Sequence, residues 1–211
     1  MSRPVFHDSL LSSAAWRVRA ALAIKGIETD TRRYEIIGKP HRTAAFMALN
    51  PQGTVPVLEI DGLTITQSLS ILEYLEETCP GPPLLPKDAE GRARVRTLSY
   101  IIAMETHVVT NMDVAMHAAQ GDDTRLGAWQ NHYFCRGLDA FEALLAHPAT
   151  GTFCHGDVPG MADCCLVPQM RNVLRIGMDA AQWPRLARIA DHAADNPAFA
   201  QTHPDQLATT P

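Results

Sequence analysis

Apolar and polar positions along the chain follow two regimes. Up to about Cys79, short β-rich runs alternate with helical runs, whereas beyond Asp88 only the helical spacing of three and four remains. Pro4 to His7 reads as a short strand. A helix follows from about Ala14 to Lys25, with Ser12 or Ser13 able to cap its start and Gly26 placed to close it. Thr31 to Ile36 reads as a second strand and the stretch from His41 to Leu49 as a short helix. Val55–Ile60 and Leu63–Thr66 flank Asp61-Gly62, a dipeptide suited to a type I′ turn, and so predict a hairpin. From Ser68 onward, Leu69, Ile71, Leu72 and Leu75 form a helical stripe with Glu73, Glu76 and Glu77 opposite. The order β-α-β-α-β-β-α predicts a mixed four-stranded sheet with helices on both faces.

Four prolines lie between Pro80 and Pro86, a density that no helix or central strand tolerates, and this stretch reads as a linker. Residues 1–80 and 89–211 are therefore expected to form two domains, the second all-helical, which makes the fold class α+β. The second domain is expected to open with one long helix from about Glu90 to Ala118. Its apolar stripe runs through Val95, Leu98, Ile102, Val109, Met112 and Met116. A second face of that helix, Tyr100, Met104, His107 and Asn111, mixes polar and apolar groups as the wall of a cleft does. Further helices are expected at about Thr124–Ala146, Met161–Ile176 and Pro184–Ala194.

Composition narrows the function classes. With 18 Lys plus Arg against 23 Asp plus Glu in 211 residues, the net charge is −5 and no basic block of five or more residues occurs. Nucleic acid is therefore not an expected partner. No run approaches the roughly 18 apolar residues of a membrane span, and His7 and Asp8 fall where a signal peptide needs an apolar run, so a cytoplasmic protein is expected. The five cysteines are odd in number and show no ligand spacing, which suggests buried thiols with neither disulfide framework nor metal site.

Three local features can carry chemistry. Ser12 and Ser13 stand at a helix N-terminus, where unpaired N–H groups and the helix dipole favour an anion, a thiolate included; capping alone also accounts for them. In Asn50-Pro51-Gln52-Gly53-Thr54-Val55-Pro56, a proline sits at the entry to a strand. A cis Val55-Pro56 bond there would turn the Val55 backbone outward, toward an extended peptide ligand. Gln67-Ser68 precedes the third helix, where Ser68 can cap it or bond a carboxylate.

In this order and on this pattern, these features resemble the cytosolic glutathione transferase family over nearly the whole chain. The run Ser12-Ser13-Ala14-Ala15-Trp16-Arg17-Val18-Arg19 is similar to the Ser-Ser-Cys-x-Trp-Arg-Val-Arg run of the zeta class. Similar matches occur at Ala48–Gln52, Val55-Pro56, Gln67-Ser68, Glu73–Glu77, Ala162-Asp163 and Val167–Gln169. The resemblance implies a thioredoxin-like first domain that binds glutathione and a helical domain that supplies the wall for a second, small-molecule substrate. It implies that Ser12, with Ser13 beside it, donates to the glutathione sulfur, and that Val55 and Pro56 present backbone to the cysteinyl unit. Gln67 and Ser68 would hold the γ-glutamyl end, His41 and Gln52 would lie near the glycyl end, His107 would reach the ligand from the long helix, and Arg175 would meet a substrate carboxylate. Asp163 resembles one half of a capping box whose Ser or Thr partner is here Gly160.

The chain departs from the class at two positions of the site: Leu11 stands where an arginine is usual, and Ala14 where a cysteine is usual. Some maleylpyruvate-type relatives also carry an arginine near Met112. The resemblance implies a homodimeric, glutathione-dependent cis-trans isomerase of a maleyl-type keto acid, maleylacetoacetate or maleylpyruvate, in aromatic catabolism. Two alternatives stay open: a transferase that conjugates halogenated or other small electrophiles, and a non-catalytic protein that uses the glutathione site for binding.

Overall fold

The computed structural model describes residues 3–208. By compactness the chain divides into two units. One joins the chain up to Leu84 to the C-terminal stretch from Ala194; the other is Leu85–Ala193.

In the first unit, β1 (Val5–Asp8), α1 (Ser13–Ile24), β2 (Asp30–Arg33), α2 (Ala44–Leu49), β3 (Val57–Ile60), β4 (Leu63–Thr66) and α3 (Ser68–Thr78) follow one another as expected. The sheet has the order β2-β1-β3-β4, with β1 and β2 parallel and the other pairs antiparallel. This is the thioredoxin-like arrangement. The edge strand β2 is exposed throughout and ends at Arg33, not Ile36, although the Tyr34 N–H still donates to the Asp8 carbonyl at 2.8 Å. Asp61 and Gly62 both adopt positive φ, 52° and 78°, as a type I′ turn requires. Gly26 closes α1 at φ 66°, with the Ile27 N–H on the Leu22 carbonyl and the Gly26 N–H on that of Ala23. Both bonds belong to the Schellman pattern.

Helix α1 is buried on nearly every side, although it carries two arginines. Arg19 places Nε 3.3 Å from an oxygen of the buried Asp8 carboxylate and donates from Nη1 to the Thr202 carbonyl. Trp16 donates from its indole to the Thr202 hydroxyl at 3.0 Å, and its ring meets that of His203 edge-on. These bonds dock the short helices α10 (Pro197–Ala200) and α11 (Pro204–Ala208) with the first unit. The expected second domain, drawn to residue 211, is corrected accordingly: periodicity shows that the last segment is helical but not which unit its polar groups join. Burial raises the Asp8 pKa, opposed by the positive charges of Arg19 and Arg33.

In the second unit the long helix expected from Glu90 to Ala118 is interrupted. Helix α4 (Ala89–Tyr100) passes into a π-helical turn (Ile101–Thr106) and the short α5 (His107–Thr110); the chain then breaks at Asn111 (φ −54°, ψ 134°) before α6 (Met112–Ala119). The local chemistry explains the break. Thr106 and Thr110 each turn a hydroxyl back onto a helix carbonyl, Val108 and Val109 are β-branched, and Asn111 caps α6 by accepting from the Asp113 N–H at 3.0 Å. Gly137 on α7 (Asp123–Leu144) allows close approach to the π turn, since a Cβ there would collide with the Thr106 hydroxyl.

Helix α8 (Met161–Arg175) is nearly all buried. Asp163 accepts from the Gly160 N–H at 2.9 Å, which is the surviving half of the capping box, and from the Cys154 N–H at 2.8 Å. A short 3-10 turn (Ala180–Gln182) leads into α9 (Pro184–Asp195), whose apolar stripe is Leu186, Ile189 and Ala193. No described helix is long and apolar enough to cross a membrane.

Candidate functional site

In the first unit the residues singled out from sequence form two groups. The first gathers the starts of α1 and α3. Ser12 is the N-cap of α1, and its Oγ accepts from the Ala15 N–H at 3.1 Å. Accepting uses a lone pair and leaves the hydroxyl proton to donate, so capping and binding of a thiolate are compatible in one side chain. Ser13 is the buried first residue of the helix, at the positive end of its dipole. Leu11 is 38% exposed beside this start.

Ser68 is not the cap of α3. Gln67 holds that position, with φ 69° and no side-chain cap bond, and Ser68 is the buried first helical residue. Its hydroxyl lies 3.3 Å from Nη1 of Arg17, which donates to it. Arg17, one turn into α1 and only 2% exposed, thus ties the two helix starts together and brings a buried positive charge to them. Two dipole ends and a guanidinium suit a carboxylate. From the sequence, Arg17 has no role beyond its place in a motif; the available signal was a cation one turn from Ser13 in a helix whose only other charge is Arg19.

The second group is the loop from Asn50 to Pro56. Asn50 shapes it, accepting from the Gln52 N–H at 3.1 Å and donating to the Thr54 carbonyl at 2.7 Å. His41 is buried, with Nδ1 3.0 Å from the Glu35 carbonyl and Nε2 3.0 Å from the Gly53 carbonyl; it holds the loop in place. Arg42 also donates to the Gly53 carbonyl, from Nε at 3.0 Å. Gly53 has φ 63°, a conformation that favours glycine, and a Cβ on it would lie 2.8 Å from Arg42 Nε and 2.9 Å from Met47 Sδ, so those side chains would have to shift. Gln67 joins the two groups by donating from Nε2 to Oε1 of Gln52 at 2.7 Å. The Val55-Pro56 bond is cis, and the β3 ladder begins at Val57, so the main chain of Val55 lies outside the sheet pairing.

His107 and Arg175 belong to the second unit. His107 opens α5 directly after the π turn, half-buried, and Arg175 is the exposed last residue of α8. Arg42 and Asn50, like Arg17, had no assigned role in the sequence reading, because their partners are backbone groups of a loop whose path the sequence does not reveal.

Residues 11–78 match the glutathione S-transferase N-terminal domain family. Maleylacetoacetate isomerase of Rhizobium meliloti (strain 1021) is 46% identical over 205 residues, covering 96% of each chain. Among solved structures, the holo form of a maleylpyruvate isomerase, a bacterial zeta-class glutathione S-transferase, superposes with a TM-score of 0.93 at 33% identity, covering 98% of this chain and 100% of that one. A maleylacetoacetate isomerase from Methylobacterium extorquens AM1, with malonate and glutathione bound, gives 0.91 at 35% identity, covering 98% and 99%. The chain belongs to the glutathione S-transferase family, with the zeta-class maleylacetoacetate and maleylpyruvate isomerases as its close relatives.

Proposed function

We propose that the protein is a glutathione-dependent cis-trans isomerase of a maleyl-type keto acid, maleylacetoacetate or maleylpyruvate, and that it works as a cytoplasmic homodimer in aromatic catabolism. The observation that carries this reading is the Ser12 hydroxyl, held as the cap of α1 with its proton left to donate. The donor set suits glutathione. Ser68, Gln67 and Arg17 at the two helix starts match the γ-glutamyl carboxylate, and the Val55 main chain, outside the ladder, can pair with the cysteinyl backbone. Glutathione, when bound, supplies a thiolate that adds reversibly to the activated double bond, allowing rotation before the thiol is returned unchanged.

This chain's residues hold that chemistry in place. Ser12 donates to the sulfur and favours its anionic form, Ser13 and the α1 dipole add to that field, and Arg175 receives a substrate carboxylate. The test is to follow maleylpyruvate and maleylacetoacetate by absorbance with and without glutathione, assaying free glutathione at the end. Isomerisation that requires glutathione and leaves it unconsumed is the expected result; no turnover of either acid would refute the reading. Leu11, exposed at the start of α1 where the class resemblance implies an arginine, favours a second reading, conjugation of a smaller or less charged electrophile, whose mark is a stable thioether product.

A further inference from the structure

Three neighbouring strands bring a phenol, an imidazole and a carboxylate into a row that the glutathione reading does not use. His7 lies in β1, opposite Arg32 of β2 and Val57 of β3. Side chains two residues apart along a strand share a face, so Tyr34, just past β2, and Glu59 of β3 stand diagonally on either side of it. His7 Nε2 is 2.8 Å from Glu59 Oε1, and its Nδ1 is 2.9 Å from Tyr34 Oη. An ionised carboxylate only accepts, so Nε2 carries the hydrogen. In the neutral ring Nδ1 is then an acceptor, and the Tyr34 hydroxyl points its proton at a base. The imidazole is fully buried, whereas Tyr34 and Glu59 are half-buried. Phe46 of α2 meets both rings edge-on, with centroids 6.3 Å from His7 and 4.9 Å from Tyr34, and limits their motion. Nucleophile, base and the group that orients the base thus stand within hydrogen-bond reach, the arrangement that activates a hydroxyl toward acyl groups. The other three tyrosines lack it. Tyr74 donates to the Asp61 carboxylate at 2.8 Å, a bond that raises its pKa and holds the proton. Among the described residues, the hydroxyls of Tyr100 and Tyr133 have no hydrogen-bond partner.

We propose that Tyr34 is a reactive nucleophile, a site that takes acyl groups from activated acyl donors with His7 as its base. Tyr34 Oη forms a bond to the acyl carbon, and the bond to the leaving group breaks with its electron pair on that group. The phenol proton passes to His7 Nδ1 and from there to the leaving group, so the products are an ester of Tyr34 and the protonated leaving group. Glu59 stabilises the imidazolium formed in between. None of the three residues has a part in the glutathione reading, and the assignment stands independently of it.

The test uses N-acetylimidazole at neutral pH, with the acetylation rate of each tyrosine followed by peptide mass spectrometry. In the wild type Tyr34 should react about a hundredfold faster than Tyr74, Tyr100 and Tyr133, the lower end of what a positioned base contributes. His7→Gln, whose amide can still bond Glu59 but takes no proton, should bring Tyr34 down to the rate of the other three. Glu59→Gln keeps an acceptor without its charge and should slow Tyr34 by about tenfold, the loss of one charge-assisted contact. The three reference tyrosines separate this effect from a general opening of the fold, which would change all four rates together. If His7→Gln does not fold, the Glu59→Gln ratio decides. Tyr34 reacting no faster than the other tyrosines in the wild type would overturn the proposal, and so would a Tyr34 rate unchanged by substitution of its partners.

Discussion

Helices α1 and α3 both begin beside a serine, yet the two serines are used in opposite ways. Ser12 accepts a backbone N–H as a cap and keeps its proton to donate; Ser68 lies one position further in, buried, and accepts from Arg17. The difference comes from the residue before each helix. Ser12 enters α1 from ordinary extended backbone, φ −90° and ψ 113°, whereas Gln67 takes a positive φ and occupies the cap position of α3 itself. A serine at a helix start is thus a cap that keeps its proton in one case and an acceptor for a buried guanidinium in the other.

The comparison can be broken by substitution. The largest effect is expected at Ser12. Ser12→Ala should lower kcat/KM by about a hundredfold or more, the usual loss when one donor aimed at developing charge is removed. Steady-state kinetics with a maleyl acid would show it. Ser68→Ala should instead raise the Kd for glutathione by about tenfold while leaving kcat nearly unchanged, since it removes a binding contact made alike throughout the reaction.

A third substitution separates the two duties of Ser12. Loss of the cap in Ser12→Ala should cost about 1 kcal/mol of stability, whereas Ser12→Asp, also a good cap, should keep stability within a few tenths of a kcal/mol of wild type. The Asp variant should nonetheless lose activity, because it places a negative charge against the sulfur. Urea unfolding of both variants, read beside their rates, checks the separation.

The smallest effect concerns the support beneath α1. Burial raises the pKa of Asp8 above its ordinary 3.8, so in the window from 3.8 up to the raised value the folded protein keeps a proton that the unfolded chain has lost. The Asp8 contribution to stability is therefore fully present below that window and falls away as pH rises through it. Asp8→Asn should flatten this part of the stability profile, measured as urea midpoints across the mildly acidic range.

What the sequence disclosed follows from what is local. Gly26, the Asp61-Gly62 turn and the Asn50–Pro56 loop each declare their conformation through residues next to one another, and the elements from β1 to α3 were legible to within a few positions. The cap of α3 was misread because nothing in Gln67 marks a left-handed backbone; asparagine or glycine would have. The break at Asn111 was hidden by an apolar stripe that keeps helical spacing across it. The docking of the C-terminal segment depends on Thr202 meeting Trp16 and Arg19, a pairing of polar groups far apart in sequence that periodicity cannot report. Arg17 was missed for the same reason: its role exists only once α3 has brought Ser68 to it.

The central claim is that Ser12 stabilises a thiolate at the start of α1. Its most direct test is the ultraviolet thiolate absorbance of glutathione bound to the wild type and to Ser12→Ala, titrated against pH under saturating protein. The account predicts an apparent thiol pKa well below the ordinary value of about 8.5 in the wild type, returning toward that value in the variant. Identical titration curves for the two proteins would contradict it.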